Sequence, residues 1–233
     1  MLTIPRFDQV PSLVHGFGDG ALTTAGLKDL ARRGSFHMIV LRQVHSDIVR
    51  FLETAPEESL RGDALVTNRA GLLLVIKTAD CLPVLLVDGD RRVIAAAHCG
   101  RRGTLHGVLE KTVTGMRERF GCDPRTVLAG LGPCIGPDCY EVGDDVRGQF
   151  ARAGFPARLF RPVPARSGKY LFDLAAANRL QLLRSGVDEK NVFSAGVCSH
   201  CDPRYPSFRR DRRRAGRMLS FIGLLPPGQN QRE

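Results

Sequence analysis

No apolar run in this chain approaches the roughly 20 residues that a membrane-spanning helix needs. The longest, such as Leu72 to Ile76, have five. The opening residues, MLTIPRFDQV, are broken by Pro5, Arg6 and Asp8 before the apolar centre of a signal peptide can form. Both absences predict a cytosolic protein with no membrane partner. Cysteine is odd in number, seven over 233 residues, which argues against a secreted disulfide framework. Reduced thiols are then free for metal ligation, nucleophilic chemistry or packing. No internal repeat and no low-complexity linker is found. A single domain is expected over 1–225, with PPGQNQRE at 226–233 as a flexible tail.

Lysine is scarce as well: five residues of 34 basic ones, the rest arginine. The net charge of +10 suggests nucleic acid at first sight, but half of it sits in one place. From Cys201 onward eight arginines face three acids, a local excess of +5. Signatures of the common nucleic-acid-binding folds are missing, and only 6% of residues are aromatic for base stacking. A basic nucleic-acid-binding protein is therefore the weaker reading.

The first half alternates short Val-, Ile- and Leu-rich runs with turn residues. HMIVLRQVH, DIVRFLE, DALVTN, GLLLVIKTADC, PVLLVD and RVIAAAHCG all read as strands. A helix is expected from Thr104, because Leu105, Val108, Leu109, Val113, Met116 and Phe120 recur at helical spacing and Gly121 can end it. TVLAGLGP reads as a strand, and Val142, Val146 and Phe150 as a short helix. Asp173 is a good N-cap for LAAANRLQLLRS, which Gly186 can stop. NVFSAG and MLSFIGL are the last strands. The class is α/β, in a layered α+β arrangement with a mixed sheet and flanking helices.

Three of these runs end on a metal-capable side chain: Gln43-Val44-His45, Ala79-Asp80-Cys81 and Ala97-His98. Strand ends can converge at one sheet edge. Two imidazoles and a thiolate there suit Zn²⁺, with a fourth position open to water or substrate. Spacings of 36 and 17 residues make no local motif, so structural histidines and a buried thiol are the alternative. Asp63, Thr78 and Asp80 lie in the same segments and can orient ligands or move protons, although Asp is also common in turns. Arg101 and Arg102 precede the expected helix and offer cations to an anion, or form a solvated loop. The segment GLGPCIGPDCYEVG lacks the order of a phosphate loop; it either holds Cys134 and Glu141 near the site or merely connects. Cys198 and Cys201 form a CxxC, but 58 residues separate it from Cys139, so no zinc ribbon is expected and Cys201 is taken as incidental.

The order QVH, DALVTN, TADCLPVLL, AAAHCGRRG, GLGPCIGPDCYEVGDDV, FDLAAANRLQL and SFRRDRRRAGR resembles the YfiH-like family, also called the laccase-domain or multicopper polyphenol oxidase family, from about His15 to Leu224. The resemblance implies one YfiH-like domain with zinc, rather than copper, on His45, Cys81 and His98. It implies phosphorolysis of adenosine, inosine, guanosine and methylthioadenosine, with purine nucleosides and phosphate as partners, and deamination of adenosine. Candidate site residues are then Asp63 and Asp80 beside the metal trio, and Thr78, Arg102, Cys134, Glu141, Arg210 and Arg217 for substrate or phosphate. Arg209 joins Arg210 and Arg217 in attracting anions, with Arg212 to Arg214 expected on solvated surface.

Departures from the family pattern bear on the substrate. Arg101 stands where the AHAGWRG segment has Trp, and the early HGFSTR-type segment reads His15-Gly16-Phe17-Gly18-Asp19-Gly20, without its Arg. If the missing Arg is one that binds phosphate in the family, weakened or altered phosphorolysis is expected, and the two departures together leave substrate preference open. A true laccase is excluded by counting: a multicopper cluster needs roughly ten His, largely in HxH pairs, and this chain has six and no HxH. Editing of a peptidoglycan precursor, known for other members of the family, is the second enzymatic reading.

Overall fold

A computed structural model of the chain describes residues 1–164 and 166–228. Its first half holds β1 (Leu13–Phe17), α1 (Thr24–Arg33), β2 (His37–Val40), β3 (Val49–Leu52) and β4 (Ala64–Thr67). Three long strands follow, β5 (Leu72–Thr78), β6 (Leu82–Asp88) and β7 (Val93–Cys99), then α2 (Arg101–Leu105) and α3 (Val108–Phe120). The second half runs β8 (Leu128–Leu131), β9 (Glu141–Gly143), α4 (Asp144–Arg152), β10 (Phe160–Pro162) and β11 (Lys169–Phe172). It ends with α5 (Leu174–Arg184), β12 (Val192–Ser194), α6 (Phe208–Asp211) and β13 (Met218–Leu224).

The strands form three sheets, ordered β1-β13-β5-β2, β12-β8-β6-β7-β4-β3 and β10-β11-β9. The two larger ones mix parallel and antiparallel pairs, so the expected mixed α/β class is present, divided over more than one sheet. Side-chain alternation along each strand sorts the core into layers. Leu72, Leu74 and Ile76 of β5 meet Leu85 and Val87 of β6 and Ile94 and Ala96 of β7, so the two larger sheets pack face to face. The intervening β5 residues Leu73 and Val75 turn outward onto Leu27 and Ala31 of α1. On the far side, Val84, Leu86, Ala95 and Ala97 pack against Val108, Val113 and Met116 of α3 and Leu174, Ala177 and Leu182 of α5. The order of layers is helix, sheet, sheet, helix. Strands β6 and β7 are buried along their whole length, which is why they read as unbroken apolar runs.

The Asp173 cap forms as expected: its carboxylate accepts from the N–H of Ala176, and Gly186 follows the helix at φ +90°. The helix expected from Thr104 is two helices. It breaks at His106 and Gly107, the latter at φ +78°, a left-handed conformation that a side chain disfavours. Strand β1, helix α1 and the small sheet were not anticipated. Their segments are short or mix polar with apolar residues, so no period stands out. Of the expected tail, 226–228 are described and 229–233 lie outside the described residues. Among the described residues no helix is long and apolar enough to cross a membrane.

Candidate active site

The seam between the two large sheets carries the site. The three residues Ala79 to Cys81 are all that links β5 of one sheet to β6 of the other, and Asp80 makes this tight passage at φ +79°. On β7 the register pairs His98 with Pro83 and Cys99 with Leu82, which sets His98 beside the start of β6. His45 arrives from the loop after β2, itself at φ +56°. The ligand atoms of His45, Cys81 and His98 all lie within 4.8 Å of one another. The strand ends therefore do converge as the sequence suggested.

Asp63 organises this convergence. It is buried ahead of β4, and its carboxylate accepts from the backbone N–H groups of Val44, His45 and Ser46 at 3.3, 3.0 and 2.6 Å and from the Ser46 hydroxyl at 2.6 Å. The same carboxylate contacts His98 Nδ1 at 2.8 Å. Burial alone would push the Asp63 carboxyl up. Hydrogen bonds from His98 and Ser46 outweigh it and hold the group at about 2. With Nδ1 engaged, Nε2 is the His98 nitrogen left for Cys81 or an ion. The His98 imidazole is resisted by burial, yet Asp63 and the Cys81 sulfur raise it to about 9. Burial opposes the Cys81 thiolate too, and the two imidazoles overcome this and bring the thiol down to about 6. A thiol so placed is ready to ligate.

A cavity of about 710 Å³ opens over the trio. Its apolar walls include Leu41, Ile135, Tyr140, Leu174 and Phe208; its cations are Arg42, Lys77, Arg209, Arg212 and Arg217. Asp80 also lines it, with its carboxylate taking the Ser199 hydroxyl at 2.8 Å and the Arg209 N–H at 2.6 Å. Thr78 contributes a buried hydroxyl that has no hydrogen-bond partner among the described residues. Gln43 closes one side: its amide N donates to the Lys77 carbonyl and its amide O accepts the Lys77 N–H, both at 2.8 Å, completing the edge of β5 as a strand would.

Of the sequence candidates, Thr78, Asp80, Cys81, His45, His98 and Arg217 line the cavity and Asp63 supports it from behind. Four others do not line it. The guanidinium of Arg210 is spent on the carbonyls of Ser199, His200 and Tyr205 and on Asp211. The Glu141 carboxylate is taken by Arg166, and only its backbone carbonyl reaches Arg209. Cys134 is buried, pairs through its backbone with Cys198, and burial pushes its thiol up. Arg102 is exposed at the start of α2. Arg212, expected on solvated surface, is exposed and also reaches the cavity rim. Phe208 was not foreseen: it is 50% exposed, a large apolar side chain held open at the mouth. Cys201 is not isolated either. The sulfurs of Cys139, Cys198 and Cys201 gather within 4.8 Å of one another.

The family described as multi-copper polyphenol oxidoreductase laccase matches residues 23–225. Among curated proteins, the chain is 41% identical over 191 residues to a purine nucleoside phosphorylase of Xylella fastidiosa (strain Temecula1), covering 78% of this chain and 71% of that one. It is 36% identical over 174 residues to "Adenosine deaminase RL5" of an unknown prokaryotic organism, covering 71% and 66%. Among solved structures, YlmD from Geobacillus stearothermophilus superposes with a TM-score of 0.83 at 27% identity, over 96% of this chain and 94% of that one.

Proposed function

Because the chain belongs to the multi-copper polyphenol oxidoreductase laccase family and is an enzyme with relatives named purine nucleoside phosphorylase, we propose that it cleaves purine nucleosides with phosphate and deaminates adenosine. In this reading it is zinc-dependent and takes adenosine, inosine, guanosine and methylthioadenosine. The observation that carries the reading is the donor trio under a cavity whose walls are apolar and whose rim is cationic.

The residues fit a zinc ion. Two imidazoles and a low-lying thiol are a borderline-soft donor set, and six histidines without an HxH pair suit one such ion better than a copper cluster. Gly100 supports the fit: a Cβ there would stand 2.9 Å from His45 Nδ1 and 3.0 Å from Cys81 Sγ. A side chain at that position would push into the space that the donors share. When bound, zinc supplies Lewis acidity and makes water acidic enough to serve near neutral pH.

In phosphorolysis a phosphate oxygen bonds to C1′ of the sugar while the C1′–N bond to the purine breaks. The purine keeps the electron pair and takes up a proton. Arg209, Arg212 and Arg217 hold the phosphate charge and oppose its repulsion from the electron-rich base. Phe208, Tyr140 and Ile135 offer flat or apolar surface to the purine, and the open Thr78 hydroxyl gives a directional contact to a ring or sugar polar atom. Asp63 acts as a positioning residue, since every lone pair in reach is already committed to His98 and the Val44–Ser46 backbone.

Metal analysis joined to an adenosine assay, with and without phosphate, tests this. Adenine release that requires phosphate, with zinc lost in Cys81→Ala, is the expected outcome. Zinc without nucleoside turnover would sink the phosphorylase reading.

A further inference from the structure

Three cysteines outside the cavity are brought together by chain segments far apart in sequence. The Cys134–Cys198 backbone bridge lays the Val197–Ser199 segment against the loop that carries Gly136 and Cys139. Cys139 Sγ then lies 3.2 Å from Cys201 Sγ, and all three sulfurs are within 4.8 Å of one another. The Gly136 N–H donates to Cys198 Sγ at 3.1 Å. A backbone donor aimed at a cysteine sulfur stabilises the thiolate that serves as a ligand. Gly136 is pressed so near that a Cβ would meet Cys198 Cβ and Sγ at 3.1 Å each.

We propose that Cys139, Cys198 and Cys201 form a second metal site, a three-thiolate set that takes Zn²⁺ with solvent as its fourth ligand. The spacing Cys198-x-x-Cys201 is that of half a structural zinc site, and Cys139 supplies the arm that the sequence placed too far away. Cys201 is exposed, so the fourth position opens to water. Around zinc, sulfurs about 2.3 Å from the ion sit about 3.8 Å apart, a small opening from the separation seen between Cys139 and Cys201. Binding releases the thiol protons to solvent and changes no oxidation state. The ion would clamp the Gly136–Tyr140 turn to the segment running on to Arg210. Ser199, within that segment, donates to Asp80 at the cavity, so the clamp backs one wall of the site.

The test counts zinc per chain in reduced full-length protein and in Cys139→Ser, Cys201→Ser and Cys81→Ser. Wild type is expected to hold about two ions; Cys139→Ser and Cys201→Ser each lose one, and Cys81→Ser loses the other. A wild-type count that neither Cys139→Ser nor Cys201→Ser lowers overturns the proposal. Loss in Cys81→Ser alone leaves the proposed cavity ion standing, whereas loss in Cys139→Ser and Cys201→Ser alone leaves only the second site. Alkylation mapping of wild type, with and without a chelator, removes any dependence on variant folding. Zinc should protect Cys139, Cys198 and Cys201 together. Equal labelling of Cys201 under both conditions, or a Cys139–Cys201 disulfide persisting in reductant, overturns the assignment.

Discussion

Asp63 shows how much one buried carboxylate can decide. It binds three backbone N–H groups, one hydroxyl and one imidazole, so it fixes both the His45 loop and the ring of His98. Asp63→Asn keeps the shape but turns an acceptor edge into a donor facing donors. Metal affinity should fall about 10–100-fold, read by competition with a chromophoric chelator. The pH dependence has a definite sign. The carboxyl sits at about 2 when folded against an ordinary 3.8, so its stabilising contribution is full above the ordinary value and drains away as the pH falls through about 2. Wild type should lose unfolding free energy between about pH 4 and pH 2 in denaturant titrations, and Asp63→Asn should lack that portion. If both proteins show the same acid profile, the depressed carboxyl is wrong. At this scale the trio was legible because each member ends an apolar run. The hub was not, since an Asp beside a strand looks like any turn residue until its partners are in place.

The short helix α6 separates two neighbouring arginines with different work. Successive side chains on a helix point about 100° apart. Arg209 accordingly faces the cavity and Arg210 turns back onto the carbonyls of the preceding loop. Arg209→Ala is expected to raise the KM for phosphate and leave the melting temperature nearly unchanged. Arg210→Ala should do the opposite and cost about 1–3 kcal/mol, the range for buried partners left unsatisfied. Calorimetry with phosphate-dependence kinetics checks the pair, and equal kinetic defects would remove the distinction. A run of arginines in sequence gives no phase, which is why Arg210 was favoured and Arg209 only grouped with it. The same limit hid the break at Gly107: the apolar period continues across it, because both short helices face one core. Strongly apolar β5, β6, β7 and β13 were read correctly, being buried on both faces. Strands β9, β10 and β11 have three or four residues each, and Phe160 of β10 and Phe172 of β11 stack on each other and pack against Phe150 of α4.

Across the whole molecule the charge excess finds a location. Arg42, Lys77, Arg209, Arg212 and Arg217 surround the cavity, with Asp80 the single acid in its lining among the described residues. Their joint field attracts anions and weakens as salt shortens its range. Between roughly 0.01 and 0.15 M ionic strength the screening length falls from about 30 to about 8 Å, so the KM for phosphate should rise while that for neutral adenosine holds within about twofold. Salt-independent phosphate kinetics would detach the arginines from the reaction. His45 follows a strand of the four-stranded sheet, His98 belongs to the six-stranded sheet, and Cys81 ends the three-residue link between them. A single ion held by all three would act as a rivet through both plates, and the work of prising the sheets apart would then include the work of stripping the ion from its donors.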